Sequence, residues 1–111
     1  MSRVYVVNKG GHDFSAARHF GTLIFLSEGS VSKFATSKMY RTFVRLLNKS
    51  NPTDYILITG YTVMSVIACS IFARKHGRVN LLIFDGVASY SRRSIEIDAL
   101  LEEITCYDNS V

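Results

Sequence analysis

The sequence predicts an α/β fold, a three-layer sandwich around a mostly parallel five-stranded sheet, with the element order βαβαβαββα. Residues 54–84 have the pattern of a buried strand, an apolar helix, a glycine stop and a second buried strand, which is a βαβ unit. Two more apolar runs of strand length precede this unit, at 4–7 and 22–26. A chain of 111 residues that is 48% apolar has room for one hydrophobic core, so residues 1–111 are expected to form a single domain.

The first half of the chain is expected to supply strands 4–7 and 22–26 and helices 14–20 and 31–49. Asp13 follows a glycine-rich loop and is placed to cap the first of these helices. In the second, Met39, Phe43 and Leu47 fall four residues apart, which is the spacing of a buried helical stripe. The run Asn-Lys-Ser-Asn-Pro at 48–52 ends that helix.

The second half is expected to supply strands 55–59, 79–84 and 90–97 and helices 61–75 and 99–105. Helix 61–75 is apolar around its circumference, which indicates cover on more than one side and favours packing against another subunit. Gly77 suits the left-handed cap that ends a helix. Residues 90–97 alternate in character, so this strand is predicted to be antiparallel and at an edge. Residues 98–111 are expected to form an acidic C-terminal helix and tail, capped by Asp98.

The net charge of +4 is unevenly distributed along this basic protein. Residues 1–93 carry all 13 basic side chains and four acidic ones, a net charge of +9, whereas residues 94–111 carry five acids and no Lys or Arg. This pattern indicates an anionic partner, or a tail that neutralises the body within the chain or across a dimer. Two ordinary solvated faces would give the same pattern.

Cysteine usage and the N-terminus favour an intracellular, cytoplasmic protein with no membrane partner. Cys69 lies in the most apolar helix, far from Cys106, so a buried thiol is expected and not a disulfide. Met1 to Arg3 lead directly into a strand without a signal-peptide pattern. The apolar runs are much shorter than a membrane span.

Polar and glycine-rich loops follow the predicted parallel strands. The C-terminal ends of such strands share one edge, where α/β domains bind ligands, and a helix N-terminus there favours negative charge. The leading prediction is a small module, acting as a homo-oligomer, that binds an anionic, nucleotide-like ligand. The predicted ligand-binding residues are Lys9, Gly10, Gly11, Ser27, Gly29, Thr59, Gly60, Tyr61 and Thr62. The opposing interpretation is that any strand-to-helix turn needs glycine and a cap, and neither a Walker loop nor a GxGxxG fingerprint is present.

His12, Asp13 and Glu28 form the plausible acid–base set on this edge, with Glu28 orienting His12 or acting as the base. They define a second alternative, a small hydrolase or transferase. The simpler interpretation makes Asp13 and Ser30 helix caps and His12 an exposed loop residue. Three histidines without Cys or acidic partners at ligand spacing predict no metal site, and no cofactor is expected. Whether the domain is an enzyme stays open from the sequence.

A basic helix face supports the first alternative, a nucleic-acid-binding or phage-type accessory protein. No acid occurs between Glu28 and Asp54, so the positive charges on this face lack neighbouring partners on their own helix. The residues assigned to this surface are Lys33, Lys38, Arg41, Arg45 and Lys49, extended by Arg92 and Arg93 on the edge strand. Tyr40 and Tyr90 could stack on bases, although tyrosines in such positions are more often core residues and no known nucleic-acid-binding module is present.

Overall fold

The structure, a computed structural model, describes residues 2–98. The elements in chain order are β1 (Arg3–Val6), a 3₁₀ helix (Ser15–His19), β2 (Thr22–Phe25), α1 (Thr36–Leu47), β3 (Tyr55–Leu57), α2 (Thr62–His76), β4 (Arg78–Phe84) and β5 (Tyr90–Glu96). The predicted final helix, 99–105, and nearly all of the predicted acidic tail lie outside the described residues.

The five strands form one sheet in the order β2-β1-β3-β4-β5. The first four strands are parallel, and β5 pairs antiparallel with β4 at the edge. This arrangement confirms the predicted fold class, including the direction and edge position of the last strand.

Most predicted boundaries shift by one or two residues, and the two larger differences, in the predicted helices 14–20 and 31–49, have local reasons. The helix expected over 14–20 is a short 3₁₀ helix, and the Asp13 carboxylate accepts a hydrogen bond from the Ser15 amide at 2.9 Å without capping an α-helix. The helix expected from residue 31 begins at Thr36 because the preceding residues form a turn. In that turn Ala35 N donates to Ser32 O at 3.1 Å, so the chain is not yet helical.

The sheet is covered unequally on its two faces. On one face, α1 and α2 pack over strand residues such as Tyr5 and Ile56, and the helices contribute Phe43 and Phe72 to this core. On the other face, Val6, Leu57 and Leu82 pack against Phe14 and Ala17 of the 3₁₀ segment. Burying these side chains drives the assembly, at roughly 1.5 to 3 kcal/mol for each large one.

The strand order explains this inequality. A right-handed crossover places its connecting helix on a face that depends on the direction of travel across the sheet. The β1–β2 connection runs one way, whereas the β2–β3 and β3–β4 connections run the other, so the 3₁₀ helix lies alone on its face. The last connection is a hairpin and adds no cover. Leu57 and Leu82 are still buried on this face, but it is open toward β5 and the C-terminal end of β4, where Phe84 keeps 49% of its surface exposed.

Helix α2 is apolar all round, as the sequence predicts, and two of its sides are covered. Met64, Ala68 and Phe72 are fully buried against the sheet, and a second side packs on α1. The outer side is exposed, with Val66 at 57%. The homo-oligomer expected from this helix stays a prediction. Within residues 2–98, none of the helices combines the length and the apolar character needed to cross a bilayer.

In α2, the predicted glycine cap is confirmed, whereas the predicted buried cysteine is only partly buried. Gly77 adopts φ 70°, a left-handed conformation, and its amide donates to Ala73 O at 2.8 Å. Cys69 is a free thiol that is partly and not fully buried, and this burial raises its pKa to about 11. The thiol is therefore protonated and poorly nucleophilic at neutral pH.

Buried polar residues fix the loop before β3. Asp54 is buried and accepts hydrogen bonds from the amides of Arg3 and Asn51. Asn80 is buried on β4 and donates to Pro52 O and Asp54 O, both at 2.7 Å. These bonds satisfy the buried polar groups and join β1, β3 and β4 at the N-terminal ends of the strands.

Candidate functional site

An open cleft of about 500 Å³ lies at the C-terminal ends of β3 and β4, beside the segment that follows β1. Since β1 and β3 are neighbours whose connections leave in opposite directions, this is the point where the strand order reverses. Open α/β sheets bind ligands in the crevice at that point. The lining residues are His12, Asp13, Phe14, Ser15, Ala16, Leu57, Ile58, Thr59, Phe84, Val87, Ala88 and Tyr90.

Aromatic rings form much of this cleft. Phe84 and Tyr90 are directly paired across the β4–β5 hairpin, and their ring centroids lie 5.5 Å apart. The His12 ring approaches Phe14 edge-on, with centroids 6.2 Å apart. Rings in these positions offer flat apolar surface to a ligand while keeping few rotatable bonds.

The charged lining residue of the cleft is Asp13, together with the ionisable His12. Hydrogen bonds from the amide and side chain of Ser15 lower the pKa of Asp13, so its carboxylate is ionised at neutral pH. Burial raises the pKa of Tyr90, and the Asp13 charge adds to that rise. No Lys or Arg lines the cleft among residues 2–98. The cleft itself therefore favours hydrogen-bond donors over phosphate.

Only some of the site residues predicted from the sequence line this cleft. His12, Asp13 and Thr59 line it, whereas Lys9, Ser27 and Glu28 do not.

A small backbone network holds the loops after β1 and β2 together. Lys9 N donates to Ser27 O at 2.8 Å, and Gly29 N donates to Lys9 O at 3.2 Å, in a short parallel bridge between Lys9 and Glu28. The Lys9 ammonium lies 5.1 Å from the centre of the Phe25 ring. The backbone groups of these predicted ligand-binding residues are therefore hydrogen-bonded to each other, and these groups are not free to bind a ligand.

Gly60 has a structural reason for being glycine. Its φ is 82°, and a Cβ at this position would lie 2.9 Å from Asn8 Cβ and 3.3 Å from Met64 Sδ. The glycine lets the turn into α2 pass close to the end of β1. Tyr61 and Thr62 follow it at the exposed start of the helix, without a side-chain cap.

The structure does not bring the three residues of the predicted acid–base set into one cleft. His12 and Asp13 line the cleft, while Glu28 lies in the bridge with Lys9. No group of three or more His, Cys, Asp or Glu residues in the described part of the chain could hold a metal ion. A catalytic role for His12, Asp13 and Glu28 stays a prediction, and Glu28 is the member the cleft does not include.

A second groove, of about 450 Å³, lies on the same open face toward the N-terminal end of β4. Its lining residues are Pro52, Thr53, Tyr55, Arg78, Asn80, Arg92, Arg93 and Ser94. The Arg78 guanidinium forms an ion pair with Glu96 at 3.2 Å and donates to Asn80 Oδ1. Arg92 is exposed, and no carboxylate of residues 2–98 pairs with it.

The basic residues assigned to nucleic acid do not form one surface. Lys38, Arg41, Arg45 and Lys49 are exposed on or just after α1, in the helical layer, and Lys33 is exposed in the turn before it. Arg92 lies on the opposite face of the sheet, in the open groove, because it pairs with the core residue Leu82. Arg93 pairs with Leu81, so its side chain starts from the helical face, and it then reaches the edge of the groove that Arg92 lines.

The chain was compared with known proteins. Residues 2–98 match the family described as Phage Pam3 gp32-like protein. The chain belongs to this family. No curated protein and no solved structure matches it.

Membership in a phage protein family agrees with the phage-type alternative at the level of the family and says nothing of a ligand. The aromatic lining contributed by Phe84 was missed from the sequence. The signal for it was available, because Phe84 lies two residues after the core residue Leu82 and so shares its face.

Proposed function

We propose that this phage-family protein is a binding module whose cleft at the reversal of strand order takes a flat, nitrogen-bearing ring such as the base of a nucleoside or nucleotide. The observation that carries the proposal is the composition of the cleft at that point, where Phe84 and Tyr90 stand beside the Asp13 carboxylate. Aromatic rings stack on bases, and a carboxylate accepts hydrogen bonds from their amino groups.

This proposal modifies the ligand expected from the sequence. An anionic ligand would place its phosphate near Lys9 or the start of α2, but neither Lys9 nor Thr62 lines the cleft. The base therefore occupies the cleft, and any phosphate lies outside it. Thr59 and Ser15 supply hydroxyl groups that can complete the recognition of the base edge.

Nucleosides titrated against the protein, with calorimetry and thermal shift as readouts, test the proposal. Tyr90→Ala should weaken binding about tenfold or more, since a base–aromatic stack is worth about 1 to 3 kcal/mol. Asp13→Asn keeps an oxygen for the Ser15 amide and should weaken ligands with an amino group more than those without one. Tyr40→Ala is the matched control, because Tyr40 is an exposed aromatic residue of α1.

Two results would contradict the proposal. One is the absence of any thermal shift across a panel of nucleosides at millimolar concentration. The other is a folded Tyr90→Ala protein that binds them with the affinity of the unmodified chain.

The exposed basic face of α1 favours a second candidate function, contact with nucleic-acid phosphates. Arg41 and Arg45 are exposed, and the ion pair recorded among residues 2–98 is the one between Arg78 and Glu96. Unpaired cations on one helix face lower the stability of the helix by only a few tenths of a kcal/mol for each like-charged pair. When they bind the phosphates of a nucleic acid, they release its bound counterions, which favours binding.

A further inference from the structure

The β4–β5 hairpin carries a row of aromatic, basic and polar side chains on the face opposite the helical layer. The register pairs Phe84 with Tyr90, Leu82 with Arg92 and Asn80 with Ser94. Directly opposed residues share a face, and Leu82 belongs to the core on the side of the 3₁₀ helix. Tyr90, Arg92 and Ser94 therefore lie on the open face, about 7 Å apart along the strand.

The two ends of this row have different chemistry. At one end, Phe84 and Tyr90 border the cleft that holds the Asp13 carboxylate, where negative charge is disfavoured. At the other end, the groove contains Arg78 and Arg92 with the polar side chains of Asn80 and Ser94. One end suits a base, and the other suits phosphate.

We propose that this open sheet face binds single-stranded nucleic acid, with a base stacked in the cleft and the adjoining phosphates against Arg92 and Arg78. The proposal rests on the proposed function, because it extends the same cleft along the sheet. Bases of a single strand are free to turn onto aromatic rings, whereas a duplex keeps them stacked on each other.

The salt bridge of Arg78 assigns Arg92 the larger role. Arg78 already has Glu96 at 3.2 Å, so phosphate must compete with that carboxylate. The exposed Arg92 has no carboxylate partner among the residues that the structure describes. An arginine without a partner gives up no ion pair when it contacts phosphate.

The two sides of the sheet supply a pair of variants. Arg92 lines the groove of the open face, whereas Arg74 is exposed on α2, in the helical layer. Each replacement by Ala removes one positive charge, and Arg74→Ala leaves Arg78 and Arg92 of the open face in place.

Fluorescence anisotropy with a labelled single strand of about 12 nucleotides, a length within the range bound by known single-strand modules, tests the proposal. Arg92→Ala should weaken binding about tenfold and lower the salt slope by about 0.7, the contribution of one phosphate contact. Arg74→Ala should change the affinity less than about twofold. Arg92→Lys should recover part of the lost affinity, and circular dichroism verifies that each variant is folded.

A nucleoside arm separates this proposal from the proposed function. A nucleoside has no phosphate, so its affinity should be unchanged in Arg92→Ala and reduced in Tyr90→Ala. If nucleosides bind but Arg92→Ala and Arg74→Ala weaken the strand equally, the sheet-face proposal is overturned and the cleft survives. If neither nucleosides nor the strand binds, both fail.

Polyglutamate and the duplex of the same sequence complete the design. The single strand should bind more tightly than either, since polyglutamate offers charge without bases and the duplex keeps its bases stacked. Equal affinity for polyglutamate would reassign the face to acidic polypeptides. Tighter binding of the duplex, lost when Arg41 and Arg45 are reversed, would move the interaction to α1.

Discussion

His76 is a single residue whose ionisation connects the end of α2 to the end of α1. Its Nε2 lies 2.8 Å from Ser50 Oγ, and its ring packs on Phe72 with centroids 4.5 Å apart. Burial lowers the pKa of His76, and the neighbouring Lys75 charge lowers it further, while Asp54 raises it. The native state therefore favours the neutral imidazole.

This depressed pKa predicts a pH dependence of stability. Below pH 6.5 the unfolded chain takes up a proton at His76 before the folded protein does, so the free energy of unfolding falls as the pH drops through that window. His76→Gln should flatten the dependence of Tm on pH below 6.5. Melting followed by circular dichroism gives the result, with His19→Gln, a change in an exposed histidine, as the comparison. An identical pH profile in His76→Gln would show that this histidine carries no linkage.

Two further residues show where local sequence determines local structure. Gly77 takes its left-handed conformation at the residue where the apolar helix ends, and Asn80 satisfies its buried amide with two carbonyl oxygens of the preceding loop. The first follows from a sequence rule about helix ends. The second depends on a contact across the sheet, so no local pattern predicts it.

At the scale of elements, α1 presents the basic surface that is the second candidate for binding nucleic acid. Its buried stripe faces the sheet, and its exposed side carries Lys38, Arg41 and Arg45 without an acid in its first turn. Like charges four residues apart repel by a few tenths of a kcal/mol, a small cost that a phosphate partner removes.

Charge reversal on α1 is expected to weaken duplex binding. Arg41→Glu with Arg45→Glu should lower the salt slope for a DNA duplex by about 2, because about 0.9 is lost for each phosphate contact. Anisotropy titrations over a range of salt concentrations measure this slope. Arg18→Glu with Arg93→Glu changes the net charge equally from other exposed positions. Equal losses in both double variants would mean that net charge, and not the α1 face, controls binding.

The elements were predicted from the sequence more fully than the site. Buried strands, the amphipathic α1 and the apolar α2 each follow from hydrophobic spacing, so the βαβ order and the antiparallel edge could be predicted. The grouping of Tyr90 with Phe84 requires the register of the hairpin. Asp85 holds its turn, since its Oδ1 accepts hydrogen bonds from the amides of Val87, Ala88 and Ser89.

That register also decides which of two adjacent arginines lies on the open face. The sequence places Arg92 and Arg93 together, and a shift of one residue in pairing would exchange their faces. Strand order and register are long-range properties, so the sequence predicted the edge at which the parallel strands end but not the residues that meet there.

At the scale of the whole molecule, charge is divided between the described part and the end of the chain. Residues 1–98 carry 13 basic and six acidic side chains, a net charge of +7, whereas residues 99–111 add three acids and no base. Negative charge on the same chain lowers the electrostatic attraction of an anionic partner.

A chain ending at Asp98 should therefore bind a single strand more tightly than the full chain, by about threefold at low salt and less as salt screens the charges. Anisotropy at several salt concentrations provides the comparison. The full-length variant Glu102→Gln, Glu103→Gln, Asp108→Asn removes the same charges and separates charge from the loss of chain. Unchanged affinity in both proteins would argue against any electrostatic influence of this segment.

The central position of β1 has a consequence for folding. Val4 pairs with Leu23 on one side and with Tyr55 on the other, so during synthesis the second edge of β1 stays unpaired until β3 has been translated. The β4–β5 hairpin needs only a short loop closure and can form in microseconds. Val4 to Val7 are fully buried in the folded domain, so they should stay exposed and prone to aggregation until β3 pairs with β1.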